Sequence, residues 1–374
     1  MKQIVIMQVL GTLKSGGTET MIMNIYKNID HEKYKFIFIS HDEKEYSYTK
    51  EIINLGGEIY YLPKYKIYNH FEYKNRWKEL FNKIYVDIVH AHLRTTAGIY
   101  LKIAKKMQLK TILHSHSVSS RGNVIERVLK RFLQYRNYRF ADLLLSCSKQ
   151  AAEWLFGKKN ENNNNYIMIY NSIDIDKFRY NDFKRKELRS SLQLIDRDIL
   201  IGHIGSFTHA KNHEKIIRVF SSLRKLNKNY KLLLVGNGIL MEKIKRLSIK
   251  KNVFTNIIFI EETTRVSDYL SAMDLFIFPS IYEGLGMALI EAQANGLTCF
   301  VSDKIPEEAI VFENTYVLKL KENDIQWSQN ISKIYSDKCR RDIDSSKLDY
   351  FNIYSTTRFL EKIYNDLNNG LKAI

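Results

Sequence analysis

Two doubly wound α/β domains, each a parallel sheet with helices on both faces, form the fold class that the sequence predicts. Three observations predict it. The chain has 374 residues, and at about 150 residues per domain two domains are expected, each able to bury a core. Short, β-branched apolar runs alternate with longer helix-like stretches from end to end, the signature of strand–helix–strand units. Within each run the apolar residues are nearly consecutive, as strands buried on both faces require.

In the first half the strand candidates are 3–10 (QIVIMQVL), 36–40 (FIFIS), 87–92 (DIVHAH), 111–115 (TILHS), 143–147 (LLLSC) and 166–170 (YIMIY). Helical patterns such as 96–107 and 124–139 lie between them. In the second half they are 199–204 (ILIGHI), 231–235 (KLLLV), 256–260 (NIIFI), 275–279 (LFIFP) and 298–302 (TCFVS). The stretch 172–197 is polar and charge-dense without a buried strand, so the halves should part there. The expected domains are 1–180 and 181–350, with 351–374 a C-terminal helix packing back on the N-terminal domain. The run Asn162 to Asn165 reads as a surface loop tip. Doubly wound domains bind ligands at the carboxyl ends of their strands, so the cleft between two such domains is the expected site.

Hydrophobic residues at 45% and charged residues at 26% exclude wholesale disorder, collagen and a small disulfide scaffold. The formal charge of +17 favours anionic partners. Residues 101–150 hold eleven Lys or Arg against two acids. There, 124–139 reads as a basic helix with Val124, Val128, Leu129 and Phe132 on one face and Arg127, Lys130 and Arg131 towards the other. Such a helix suits an anionic membrane surface, or else is the solvated face of a packed helix. No nucleic-acid motif accompanies the charge, so no nucleic acid is expected. Cys147, Cys299 and Cys339 are scattered, with no C-x-x-C, which suits the reducing cytoplasm, and the first two sit in apolar runs. The N-terminal run is too short for a signal sequence, and none approaches the roughly 18 residues of a membrane span. A cytoplasmic protein, soluble or at the inner face of the membrane, is expected.

Three features could carry chemistry. The first strand runs into Gly11-Thr-Leu-Lys-Ser-Gly16-Gly17-Thr18-Glu19. A glycine-rich turn entering a helix offers backbone N–H groups to phosphate. Its spacing fits neither a dinucleotide fingerprint nor a Walker A loop. A tight turn with Thr18 as N-cap is the plainer alternative. Next, Glu283 precedes a helix expected to begin near Gly286, and Glu291 lies eight residues on, within it. Carboxylates accept hydrogen bonds from vicinal sugar hydroxyls. Lastly, His90 and His92 alternate along one strand, and His114 and His116 along another. Period-two spacing puts each pair on one face. On adjacent strands the four could converge as a metal site or serve sugar binding, with at least one pair structural.

Residues 279–303, PSIYEGLGMALIEAQANGLTCFVSD, closely resemble the E-x7-E region of retaining family-4 glycosyltransferases with the GT-B fold. GGTET at the N-terminus, HSHS at 114–117, YNSIDIDKF at 170–178, GHIGSFTHAKNHEKII at 202–217 and LLLVGNG at 232–238 resemble further motifs of that family, in order. The resemblance spans roughly residues 1–330 and is nearest to the branch serving capsular and exopolysaccharide synthesis. It implies a metal-independent hexosyltransferase without cofactor, moving sugar from a nucleotide sugar (UDP favoured over GDP) to a lipid-linked or oligosaccharide acceptor. It implies that Glu291 holds the ribose, Glu283 the donor sugar or its phosphate neighbourhood, and Lys211 the diphosphate. His116 would contact the donor sugar or its departing oxygen, making His116, Glu283 and Lys211 the catalytic set. Gly16, Gly17, Gly205, Ser206, Gly284, Leu285 and Gly286 complete the donor site, and Arg121, Arg127, Lys130 and Arg131 lie on the acceptor and membrane side. Ser206 stands where the family usually has Arg, and Glu261-Glu262 where it often has Gly, with Arg265 near enough to compensate. These departures leave a non-catalytic nucleotide-sugar-binding partner as an alternative, beside a sugar-nucleotide epimerase or hydrolase and a four-histidine metalloenzyme.

Overall fold

The computed structural model describes residues 2–14, 16–116, 128, 131, 133–158, 165–261, 263–335 and 341–371. The chain divides into two compact units, Met1–Ile173 with Tyr350–Ile374, and Asp174–Asp349.

The first unit carries a seven-stranded sheet in the order β3-β2-β1-β4-β5-β6-β7, with every pair parallel. Its strands are β1 (Ile4–Val9), β2 (Tyr34–Ser40), β3 (Glu58–Tyr61), β4 (Ile88–Ala91), β5 (Lys110–Ser115), β6 (Leu143–Ser146) and β7 (Tyr166–Met168). Its helices include α1 (Gly17–Asn28), α2 (Ser47–Asn54), α3 (His70–Lys83), α4 (Ala97–Lys106) and α5 (Lys149–Phe156). Consecutive side chains along β1 go to opposite faces. Ile6 and Leu10 enter one core with Met21, Ile25 and the C-terminal helix residues Leu360 and Ile363. Met7 and Val9 enter the other, with Tyr73, Trp77 and Tyr100.

The second unit has a six-stranded sheet, β10-β9-β8-β11-β12-β13, also parallel throughout. The strands are β8 (Ile199–Ile204), β9 (Tyr230–Val235), β10 (Ile257–Ile260), β11 (Leu275–Phe278), β12 (Thr298–Ser302) and β13 (Thr315–Leu318). Helices α6 (Ile175–Phe178), α7 (Asp182–Ser191), α8 (His213–Leu226), α9 (Met241–Lys250), α10 (Val266–Ala272), α11 (Met287–Ala294) and α12 (Asp324–Ile334) surround it. The last helix, α13 (Ile353–Asn368), packs on α1 in the first unit.

Strands β3 and β13 escape the apolar-run reading. Each has four residues, EIYY and TYVL, at the outer edge of its sheet, where one side is uncovered and the apolar pattern lapses. The basic stretch read as a helix over 124–139 ends sooner: Leu133 and Gln134 are helical, while 137–140 form a 3₁₀ turn after Arg136 at φ 61°. Residues 124–127, 129, 130 and 132 of that stretch, with the Asn162–Asn164 part of the loop tip, lie outside the described residues.

Candidate functional site

In each sheet the chain reverses its direction of growth beside the first strand, between β1 and β4 and between β8 and β11. Ligands of doubly wound sheets bind at the carboxyl ends of such a pair. The candidate residues gather at these two ends.

In the second unit, β8 runs into Gly205 and a loop that carries Lys211, while β11 runs into the loop carrying Glu283. The two loops are stitched together: Ile281 N–H donates to the Ala210 carbonyl at 2.8 Å, and Asn212 Nδ2 to the Pro279 carbonyl at 3.1 Å. Lys211 Nζ donates to Glu283 Oε1 at 2.7 Å, and both side chains are largely covered. The ammonium also lies 4.7 Å from the centroid of the Phe278 ring, a cation–π contact. A Cβ on Gly205 would come within 3.2 Å of the Lys211 stem, so that glycine makes room for it.

Gly286 caps α11 at φ 95°, a left-handed backbone that glycine adopts without strain. Leu289 N–H turns back to the Gly286 carbonyl at 2.8 Å, which leaves the amides of Met287 and Ala288 unpaired within the helix. Gly284 and Leu285 form the approach, with Leu285 buried. Glu291 sits one turn further along α11. Burial pushes its carboxyl up to about 7, against the pull of Lys177 and Lys211. It keeps some exposure, so the cause is the protein crowding the carboxyl rather than full enclosure. It is not the ordinary surface carboxylate that a bare reading of one glutamate would suggest. Ser206 is exposed. Arg265 does not compensate Glu261: it bonds Asp268 at 2.8 Å and Glu187 at 3.1 Å. Glu262 lies outside the described residues.

Beneath Lys211, His203 and His213 are buried with ring centroids 4.7 Å apart. His203 Nδ1 bonds the Ile277 carbonyl at 2.8 Å. Burial presses the two imidazoles down to about 3 and about 2, so both are neutral under Lys211.

In the first unit α1 begins at Gly17 with Gly16 as its N-cap, two residues ahead of the Thr18 cap. Gly16 is extended (φ −157°), and a Cβ on Gly17 would meet nothing within 4 Å, so the space on that side of Gly17 is open.

The four histidines do converge, because β4 and β5 are neighbours with His90 opposite Ile112. His92 Nδ1 and His116 Nε2 are 2.8 Å apart, and His90 Nε2 and His114 Nδ1 3.3 Å. His116 Nδ1 lies 3.3 Å from Asn171 Oδ1. Both nitrogens of His116 are thus already engaged inside the unit, the Asn171 contact being the longer. Burial presses His116 down to about 3, with Arg94 adding repulsion and Asn171 acting the other way. The others are also driven well below the ordinary histidine range by burial. One ligand atom each from His90, His92 and His114 lie within 4.8 Å of one another. Hydrogen bonds engage both nitrogens of His90 and His92 and Nδ1 of His114, and no carboxylate joins them within that group.

Arg131 is exposed at the described end of the basic stretch, whereas Arg121, Arg127 and Lys130 lie outside the described residues. Gln8, Asn171, Lys177, Phe278 and Tyr364 were not singled out by sequence reasoning. Gln8 alone carried a signal, a polar residue between Ile6 and Leu10 in an otherwise apolar strand.

Comparison with known proteins follows the same division. Residues 15–177 match the family described as Glycosyltransferase Family 4. Residues 184–348 match Glycosyl transferases group 1. The chain is 28% identical over 333 residues to the putative glycosyltransferase EpsF of Bacillus subtilis, covering 88% of this chain and 87% of EpsF. It is 28% identical over 378 residues to the capsular polysaccharide biosynthesis glycosyltransferase CapH of Staphylococcus aureus, covering 96% of this chain and 98% of CapH. The crystal structure of Anabaena Alr3699/HepE in complex with UDP and glucose superposes with a TM-score of 0.80 at 13% identity, covering 97% of this chain and 100% of HepE. With a family 4 first half, a group 1 second half and full-length kinship to such enzymes, the chain belongs to the GT-B glycosyltransferases of the polysaccharide-biosynthesis type.

Proposed function

We propose that the protein transfers a hexosyl group from a nucleotide sugar to a lipid-linked or oligosaccharide acceptor during surface polysaccharide synthesis, with retention of anomeric configuration and without a metal. The observation that carries the reading is the Lys211–Glu283 pair beside the α11 N-terminus, with Glu291 eight residues on. The parts fit a nucleoside diphosphate. Lys211 and the free amides of α11 neutralise the diphosphate, and Gly205 and Ser206 let it approach. Glu291 accepts from the ribose hydroxyls. Glu283 holds Lys211 in place and accepts from the donor sugar. Gly16, Gly17 and His116 of the first unit keep the donor-contact roles that the family resemblance implies, Gly17 through its amide and His116 through Nδ1. UDP is favoured over GDP, a choice supported by the UDP and glucose of the HepE complex.

Peripheral contact with an anionic membrane belongs to the same proposal. Among the described residues no helix is long and apolar enough to cross a membrane. A groove of about 540 Å³ between α3 and α4 has an apolar floor (Ile99, Ile103, Met107) and a rim of Lys74, Lys78, Lys102 and Lys106. Ile67, Tyr68 and Phe71 are strongly exposed where α3 begins. Lysines over apolar surface complement anionic headgroups over acyl chains.

One assay tests both parts. Purified protein is given a UDP-sugar and a synthetic lipid-pyrophosphate oligosaccharide in vesicles, and the new glycosidic bond is read by NMR. We expect the donor's anomeric configuration in the product, and a rate that rises with the fraction of anionic lipid. An inverted product removes retention. A rate indifferent to lipid charge removes the membrane contact.

A further inference from the structure

We propose that Gln8 and Tyr364 are positioning residues that set which ring nitrogen of His116 carries its proton, through a single file of hydrogen bonds: Asn171, His116, His92, Gln8, Tyr364, His90, His114. The inference rests on the proposed contact of His116 with the donor.

Each neighbouring pair in the file lies within hydrogen-bonding distance. Beyond the Asn171, His92 and His114 contacts already described, His92 Nε2 lies 2.8 Å from Gln8 Oε1. Gln8 Nε2 donates to the Tyr364 hydroxyl at 3.2 Å, and that hydroxyl lies 2.8 Å from His90 Nδ1. All of these side chains are buried, Gln8 at 0% and Tyr364 at 1% exposure. Gln8 comes from β1, between Ile6 and Leu10, and Tyr364 from α13. An apolar layer tolerates such groups only when each finds a partner.

The chemistry of the file makes it directional. A neutral imidazole has one N–H and one lone pair. Each interior ring spends both, so an assignment made at one link passes along the file. With the Gln8 carbonyl towards His92, the proton of His92 sits on Nε2 and its Nδ1 accepts. His116 must then donate from Nε2 and keep a lone pair on Nδ1. That lone pair faces Asn171 across 3.3 Å, where an N–H or O–H is wanted. A sugar hydroxyl supplies one, and so does the Asn171 amide turned over. On the other arm Tyr364 donates to His90 Nδ1 and His90 Nε2 to His114 Nδ1. The file ends at His114 Nε2, which has no partner among the described residues. Turning the Gln8 amide over reverses every link and gives His116 an N–H at Nδ1 instead. The amide orientation therefore decides whether His116 accepts from the donor or donates to it. Tyr364 holds the amide from the far side. Burial keeps the rings from escaping this constraint by taking up a second proton.

Nitrogen-15 NMR of histidine-labelled full-length protein tests it, because the protonated and bare nitrogens of neutral imidazole resonate far apart. In wild type we expect the His116 proton on Nε2. Gln8→Leu cuts the file and should give mixed tautomers, with kcat down about tenfold or more and KM moving less. Tyr364→Phe, which loses a single hydroxyl and leaves the fold the better chance, should also mix the tautomers. An unchanged His116 tautomer in folded Gln8→Leu and Tyr364→Phe overturns the inference, whatever the activity. Shifted tautomers with unchanged kcat and KM would leave the positioning intact and overturn the donor contact of His116.

Discussion

Replacing Lys211 by methionine should lower kcat/KM for the donor by about three orders of magnitude, roughly 4 kcal/mol of transition-state stabilisation. In the proposed reaction charge develops on the departing diphosphate, and the ammonium proposed to meet it is Lys211, which the β8 and β11 loops hold against Glu283. Stability complicates this variant, because it leaves Glu283 as an unpaired and mostly covered carboxylate. The double variant Lys211→Met with Glu283→Gln separates the two effects. Its thermal stability should return towards wild type while its turnover stays lost. Recovery of turnover along with stability would show that the pair only holds the loops together. Lys211→Arg keeps the charge but changes its shape, and should fall between wild type and methionine.

Acid should open the first unit before the second. Four buried histidines there, His90, His92, His114 and His116, have folded-state values far below the ordinary 6.5. Between those values and 6.5 the unfolded chain binds protons that the folded chain refuses, so stability is full above about pH 6.5 and falls as the pH drops. At about 1.4 kcal/mol per group per pH unit, four groups approach a slope of about 5 kcal/mol per pH unit. The second unit has two such groups in its core, His203 and His213. It also has Glu291, whose raised value near 7 works in the opposite sense between about pH 4.5 and 7. Hydrogen exchange followed by mass spectrometry at pH 7 and pH 5 reads the order. We expect β4, β5 and α13 to lose protection first. Loss first in β8 and β11, or a melting temperature flat over this range, contradicts the account.

What the sequence discloses about this molecule follows from what is local. The apolar runs found the central strands because a strand covered on both faces needs few polar residues. They missed EIYY and TYVL, which lie at sheet edges and answer to solvent as much as to the core. The segment from Pro279 to Glu291 was legible because strand, loop and helix start are adjacent in the chain. The period-two histidines were legible as pairs, but not as one hydrogen-bonded file. That file needs Gln8, 82 residues before His90, and Tyr364, 274 residues after it, and spacing cannot join residues so far apart. The commitment of Arg265 to Glu187 crosses 78 residues and was equally out of reach.

Nucleotide binding is the most direct test of the central claim, that the second unit holds the nucleotide of a sugar donor. Isothermal titration of the full chain with UDP and with GDP, repeated on Glu291→Ala, measures it. We expect one nucleotide, UDP ahead of GDP, to bind and to raise the melting temperature by mass action. Glu291→Ala should weaken that binding by about tenfold or more, the worth of the lost ribose hydrogen bonds. A well-folded wild-type protein that binds neither nucleotide, or a Glu291→Ala variant that binds as tightly as wild type, would contradict the account.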